Sequence, residues 1–142
     1  MKLRHQVETK VYYLIGDPID HACSPYVNSA AFEFLNIDAL CLPLLVKRED
    51  LGAFVDMVKT FDFPGFYLTM PHKADIINYL DECDPLSKAF QSVNLVRNNG
   101  GKLTGIGLDG VGMGETIERK AGGPGSLKGK RALILGAGSV AG

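Results

Sequence analysis

Val11 to Gly16 (VYYLIG) is a near-continuous apolar run rich in β-branched and aromatic residues, the pattern of a strand buried on both faces, and Gly16-Asp17-Pro18 ends it. A polar loop from Ile19 to Ser24 follows. Ser24 stands before Pro25, the arrangement of an N-cap with proline at the first helical position, and helical periodicity continues from Tyr26 to Leu35. Asp38 to Val46 returns to strand-like composition, and Pro43 within it predicts a strand at or near a sheet edge. Glu49 to Thr60 predicts an amphipathic helix with Leu51, Phe54, Val55 and Val58 on one stripe.

The next strand, Phe66 to Met70, is stopped by Pro71, which lacks the N–H that a continuing ladder needs, and a third helix is predicted over Ala74 to Leu80. Lys73 is thereby delivered to the carboxyl end of a strand, where ligands of open α/β sheets bind, although this segment taken alone fits a solvated lysine at a helix start equally well. Alternating strands and helices predict an α/β fold, a mostly parallel sheet with helices on both faces. After a short helical piece around Pro85 to Phe90, Ser92–Arg97 and Lys102–Ile106 flank Asn98-Asn99-Gly100-Gly101, which predicts a hairpin and so an antiparallel pair. Asp109 is placed to cap a helix over Val111 to Arg119.

Residues 121–130 are glycine-rich, hold Pro124, and read as a linker. Arg131 to Leu135 then predicts a strand running into Gly136-Ala137-Gly138-Ser139-Val140-Ala141, a GxGxxA pattern in the strand-to-turn context of a dinucleotide-binding fingerprint. The expected division is a first domain over 1–120, closed by the helix that carries Asp109. Residues 121–142 form a linker and the first strand and Gly-rich turn of a truncated Rossmann domain. A complete nucleotide unit needs about 30 residues. The expectation is therefore of a fragment ending inside its second domain.

At 142 residues the chain is of single-domain size, able to bury roughly 68–70% of its unfolded surface. Fifteen basic against 16 acidic residues give a net charge of -1, which argues against nucleic-acid binding and against a polybasic membrane anchor and leaves a small molecule as the expected partner. Met1 to Lys10 has no apolar signal core, and no run reaches the roughly 18 apolar residues of a membrane helix, so a soluble, cytoplasmic protein is expected. Cys23, Cys41 and Cys83 show no CxxC spacing and are odd in number, which predicts reduced thiols. His5, His21 and His72 lack metal-ligand spacing, so no metal is expected. The edge implied by Pro43 leaves a homodimer open.

Gly16-Asp17-Pro18-Ile19-Asp20-His21 with Ser24-Pro25, then Gly65 to Lys73, Ser92-Val93-Asn94, Leu108-Asp109-Gly110 and the glycine turn form an ordered series. In that series the chain resembles the amino-terminal half of the shikimate dehydrogenase family, from Gly16 to Ala141. The resemblance implies that Lys73 and Asp109 are the catalytic pair, that Asn94 binds a ring hydroxyl, and that Ser24, Thr69 and Tyr67 line the substrate pocket. It also implies that Gly136, Ala137, Gly138 and Ser139 hold NADP or NAD, with the choice set beyond the glycine turn. Ala22, Tyr67, Leu95, Gly107-Leu108 and Asn28-Ser29 depart from the family's usual residues, so shikimate, quinate or another cyclic hydroxy acid are all implied substrates. Oxidising a secondary alcohol needs a group that receives the hydroxyl proton while hydride leaves for the nicotinamide, a role that fits Lys73 paired with Asp109. A non-catalytic ligand-sensing domain on the same scaffold is the competing reading.

Overall fold

A computed structural model of the protein describes residues 5–136. Six strands form one sheet: β1 (Lys10–Gly16), β2 (Ala39–Leu45), β3 (Gly65–Leu68), β4 (Glu82–Cys83), β5 (Leu95–Asn99) and β6 (Lys102–Ile106). Their order is β2-β1-β3-β5-β6-β4. The β2–β1, β1–β3 and β6–β4 pairs are parallel, and the β3–β5 and β5–β6 pairs are antiparallel. The sheet is thus mixed but mostly parallel, as expected.

Helices cover both faces because neighbouring β1 side chains point opposite ways. Ile15 joins a core with Phe66, Val96 and Leu103 that receives the whole predicted stripe of α2 (Leu51–Thr60), Leu51, Phe54, Val55 and Val58. Leu14 faces the other side, where it packs with Ile19 and Cys41. The ring of Phe32, from α1 (Ser24–Phe34), covers this second cluster. Edge-to-face contacts of Phe54 with Phe66 and with Tyr13 add specific geometry to the larger core.

β2 is an edge strand, as Pro43 predicts, and it is blunted. Cys41 N–H donates to Ser29 Oγ at 2.9 Å, and the same hydroxyl donates back to Cys41 O at 3.1 Å. Ala39 N–H is taken by Ile37 O at 2.8 Å, and Pro43 has no N–H to offer. At the hairpin, Gly100 and Gly101 adopt φ of +61° and +91°, the positive values a tight β5–β6 turn demands.

Several expected boundaries shift. β3 ends at Leu68, because Thr69 O accepts from His72 N–H at 3.1 Å and starts a turn around Pro71. α3 (His72–Asp75) begins early enough to contain Lys73, then tightens into a 3₁₀ turn over Ile76–Tyr79, where two β-branched isoleucines disfavour further α-helix. β4 is a two-residue strand too short to leave a period in the sequence. α4 (Pro85–Ala89) matches the short helical piece, and β5 starts at Leu95 rather than Ser92. Ser24 and Asp109 are first helical residues rather than caps. The N-caps are Cys23 and Leu108, neither with a side-chain bond, and α5 runs over Asp109–Lys120.

Residues 121–129, read as a linker, are turns that fold back on α5. Gly123 N–H and Ser126 Oγ–H donate to Glu118 O at 2.8 and 3.1 Å, and Gly125 N–H donates to Glu118 Oε1 at 3.1 Å. The strand expected over 131–135 is not formed: no described strand pairs with it, and Leu133 and Leu135 stay exposed. Among the described residues no helix is long and apolar enough to cross a membrane.

Candidate active site

β1 sits between β2 and β3, and the chain leaves β1 for one neighbour before returning on its other side to the next. That reversal makes the carboxyl ends of β1 and β3 a topological switch point, the crevice where open α/β sheets bind ligands. The two ends are stitched together there: Thr69 N–H donates to Ile15 O at 2.9 Å and Asp17 N–H to Met70 O at 3.0 Å. The turn after β3 then carries His72 and Lys73. His72 is fully buried, with Nε2 donating to Val46 O at 2.7 Å and Nδ1 unpartnered, so it ties the short helix α3 to the end of β2.

Lys73 Nζ lies 2.5 Å from Asp109 Oδ2, with the side chains 17% and 33% exposed. Asn94 joins the pair. Its Nδ2 donates to Asp109 Oδ1 and its Oδ1 accepts from Leu108 N–H at 2.9 Å. The backbone of the same region is closed by Val93 N–H to Lys73 O and Leu68 N–H to Asn94 O, both 2.9 Å. An amide has two N–H donors and two acceptor lone pairs, so Asn94 keeps one of each free for a ligand.

These residues border a cavity of about 310 Å³. Its polar lining is Ser24, Asn28, Thr69, Lys73, Asn94 and Asp109, and its apolar lining includes Leu14, Ala22, Tyr67 and Leu95. Burial, then the neighbouring Cys41 and Tyr12, push the Tyr67 phenol up, so it stays a neutral donor. A second cavity, about 530 Å³, lies along α5 and is lined by Gly112, Met113, Thr116 and Ile117 as well as Lys73 and Asp109. The ion pair therefore borders both. A larger hollow of about 720 Å³ lies between α1 and β2, but it contains no comparable lysine–carboxylate pair, and chemistry rather than volume selects the site.

The structure thus brings together Lys73, Asp109, Asn94, Thr69, Tyr67 and Ser24, all six singled out on the substrate side. Of the nucleotide-binding residues, Gly136 has φ of +119°, a conformation suited to a glycine turn, while Ala137, Gly138 and Ser139 lie outside the described residues. Leu14, Leu68 and His72 were missed as parts of this site. For Leu14 the signal was available in the strand alternation, which sends it to the face opposite Ile15.

Residues 14–96 match the family model of the shikimate dehydrogenase substrate binding domain. A shikimate dehydrogenase (NADP(+)) of Bacillus cereus is 44% identical over 131 residues, 92% of this chain and 47% of the relative. A crystal structure of shikimate dehydrogenase in complex with NADP+ superposes with a TM-score of 0.90 at 34% identity, over 96% of this chain and 47% of that one. The Thermus thermophilus enzyme in complex with shikimate gives 0.83 at 30% identity, over 93% and 49%. The chain spans about half the length of the relatives it matches. With its sheet order, its paired lysine and aspartate and this similarity, the chain belongs to the shikimate dehydrogenase family.

Proposed function

We propose that this chain supplies the substrate half of an NADP- or NAD-dependent dehydrogenase that reversibly oxidises a secondary hydroxyl of shikimate, or of a related cyclic hydroxy acid such as quinate. The observation that carries the reading is the Lys73–Asp109 pair at 2.5 Å on the wall of a cavity of about 310 Å³, room for a small ring acid. A substrate hydroxyl seated against Lys73 Nζ and Asp109 meets a group that can take its proton on oxidation and return it on reduction. Asp109 keeps the lysine oriented, and Asn94 keeps Asp109 oriented while offering its spare N–H and lone pair to a neighbouring hydroxyl. Ser24, Thr69 and Tyr67 supply neutral donors for the remaining oxygens, a carboxylate among them.

The nicotinamide, when bound, accepts the hydride. The main chain at Gly136, Ala137, Gly138 and Ser139 would hold its pyrophosphate, and the positive φ of Gly136 fits that use. The cavity along α5 leaves room on the second side of the ion pair for the other reactant. In this reading residues 1–120 form the substrate domain with α5 as its hinge helix, and the nucleotide domain begins in 121–142. A homodimer through the β2 edge would rest on side chains of α1 and β2, since the blunted edge leaves little ladder to extend.

The test is nicotinamide reduction by a protein spanning the relatives' full length, with shikimate and quinate and with NAD and NADP, beside Lys73→Ala. Removing the proton carrier is expected to lower kcat by about 10²–10⁴-fold. No turnover with any of the four pairs would refute oxidation of shikimate or quinate and favour another ligand or a sensor, and full turnover in Lys73→Ala would refute Lys73 as the proton carrier.

A further inference from the structure

Asp109 reaches Lys73 at the end of a two-residue loop, Gly107-Leu108, that joins β6 to α5, and the N–H groups of both loop residues are taken by side chains, while Leu108 O accepts the first helix bond of α5 from Gly112 N–H at 2.9 Å. Three successive residues of this segment are gripped from outside it. Leu108 N–H and the Asp109 carboxylate are held by Asn94, while Gly107 N–H donates to Asp84 Oδ2 at 3.3 Å. Asp84 uses its other oxygen differently: Oδ1 accepts from Ser87 N–H at 3.0 Å, which caps α4. The Ser87 hydroxyl also donates to Oδ2, and Ser87 itself is 3% exposed.

Space is as tight as the bonding. A Cβ on Gly107 would stand 2.5 Å from Ser87 Oγ and 2.6 Å from Ser92 O, so the loop backbone lies directly on the α4 turn. Burial pushes the Asp84 carboxyl up, but the donors from Ser87, Gly107 and Leu86 outweigh it and hold the group below the ordinary carboxylate range. Asp84 is therefore an anion with its oxygens already committed, one to α4 and one shared with the loop that carries Asp109.

We propose that Asp84 is a positioning residue for the reaction: through its bond to Gly107 N–H it sets where Asp109 stands against Lys73. The proposal rests on the dehydrogenase reading only for its kinetic consequence. Its structural part is independent of which substrate is used.

Two variants of the full-length protein separate positioning from stability. Asp84→Ala removes the grip on Gly107. Asn98→Ala removes buried hydrogen bonds, to Phe63 O and from Gly101 N–H, both 2.8 Å, at the far end of β5 and leaves Asp84 and its partners untouched. A misplacement of reacting groups by an ångström costs up to about a hundredfold, so a loosened loop is expected to lower kcat about tenfold in Asp84→Ala, with KM changed less than about threefold. Asn98→Ala is expected to lower Tm and leave kcat within about threefold, and amide exchange at Gly107 and Leu108 should quicken only in Asp84→Ala. Equal kcat losses in both variants, or a loss in Asp84→Ala that vanishes on cooling well below its Tm, would mark a structural role and overturn the proposal. Unchanged exchange at Gly107 and Leu108 in a folded Asp84→Ala would do the same. Should the parent enzyme show no turnover, the reaction reading fails, and the exchange result alone still decides whether Asp84 positions the loop.

Discussion

Gly65→Ala tests whether the strand that delivers Lys73 depends on a bare backbone at its first residue. Gly65 opens β3 with φ of +155°, in the range L side chains rarely adopt, and it pairs with Arg97 of the antiparallel neighbour β5. A Cβ there would drive into Val96 O and stand 3.3 Å from Arg97 Cα, both of them backbone atoms of a central strand that cannot swing aside. Relief requires opening the β3–β5 ladder beyond its ~4.8 Å spacing or rotating the peptide before Phe66. Overpacking costs about 1–3 kcal/mol and a residue forced into a glycine conformation about 1–3 kcal/mol, so the substitution should cost about 2–6 kcal/mol. For a chain of this size roughly 3 °C of Tm is lost per kcal/mol, which predicts a fall of roughly 6–18 °C in a thermal melt followed by circular dichroism. Phe66, Val96 and Tyr67 move with the ladder, so a weaker affinity for substrate should accompany the lower Tm. A fall below roughly 3 °C would show that the β3 backbone relaxes freely and that the close approach carries no constraint.

Acid sensitivity should report on Arg48 and Asp75, joined by two hydrogen bonds of 2.6 and 2.8 Å. The Arg48 guanidinium holds the Asp75 carboxyl below its ordinary 3.8, so the pair's contribution is complete above that value and is lost as pH falls through the lowered one. Asp75→Asn should therefore melt lower than the parent at pH 7, with the gap closing below pH 3.8 and shrinking in high salt; a gap that persists in acid would rule out the ion pair as its source. Ser29→Ala should free the N–H and C=O of Cys41 on the edge of β2, and concentration-dependent light scattering should rise while the monomer's fold is kept; unchanged scattering would show that the edge needs no such cover.

Periodicity reached the elements that are long and one-sided. The α2 stripe from Leu51 to Val58 and the turn at Gly100-Gly101 are where it said, because a helix face and a positive φ each leave a local mark. Boundaries failed where the decisive bond is not local. Ser24 and Asp109 have cap-type side chains, yet Asp109 spends both oxygens on Lys73 and Asn94, 36 and 15 residues away, and no spacing rule announces that. β4 exists only because β6 is beside it. Lys73, Asp109 and Asn94 became legible as a set through the ordered family motifs, whereas Asp84 carries an ordinary Asp-Pro helix-start signature that says nothing of the loop it holds.

The sheet order has a consequence for how the protein acquires its chemistry. β1 pairs with β2 across α1 and with β3 across both β2 and α2, and β5 adds to β3 from the other direction, so the sheet is assembled largely from partners distant in sequence. Each such closure pays chain entropy before any contact rewards it, the condition under which folding slows. Asn94 stands at the entrance to β5 and Asp109 just past β6, so the cluster of Lys73, Asp109 and Asn94 exists only once β3, β5 and β6 are paired. A chain in which those strands are unpaired has Lys73 but no cluster, so the proposed chemistry depends on long-range pairing rather than on any one segment.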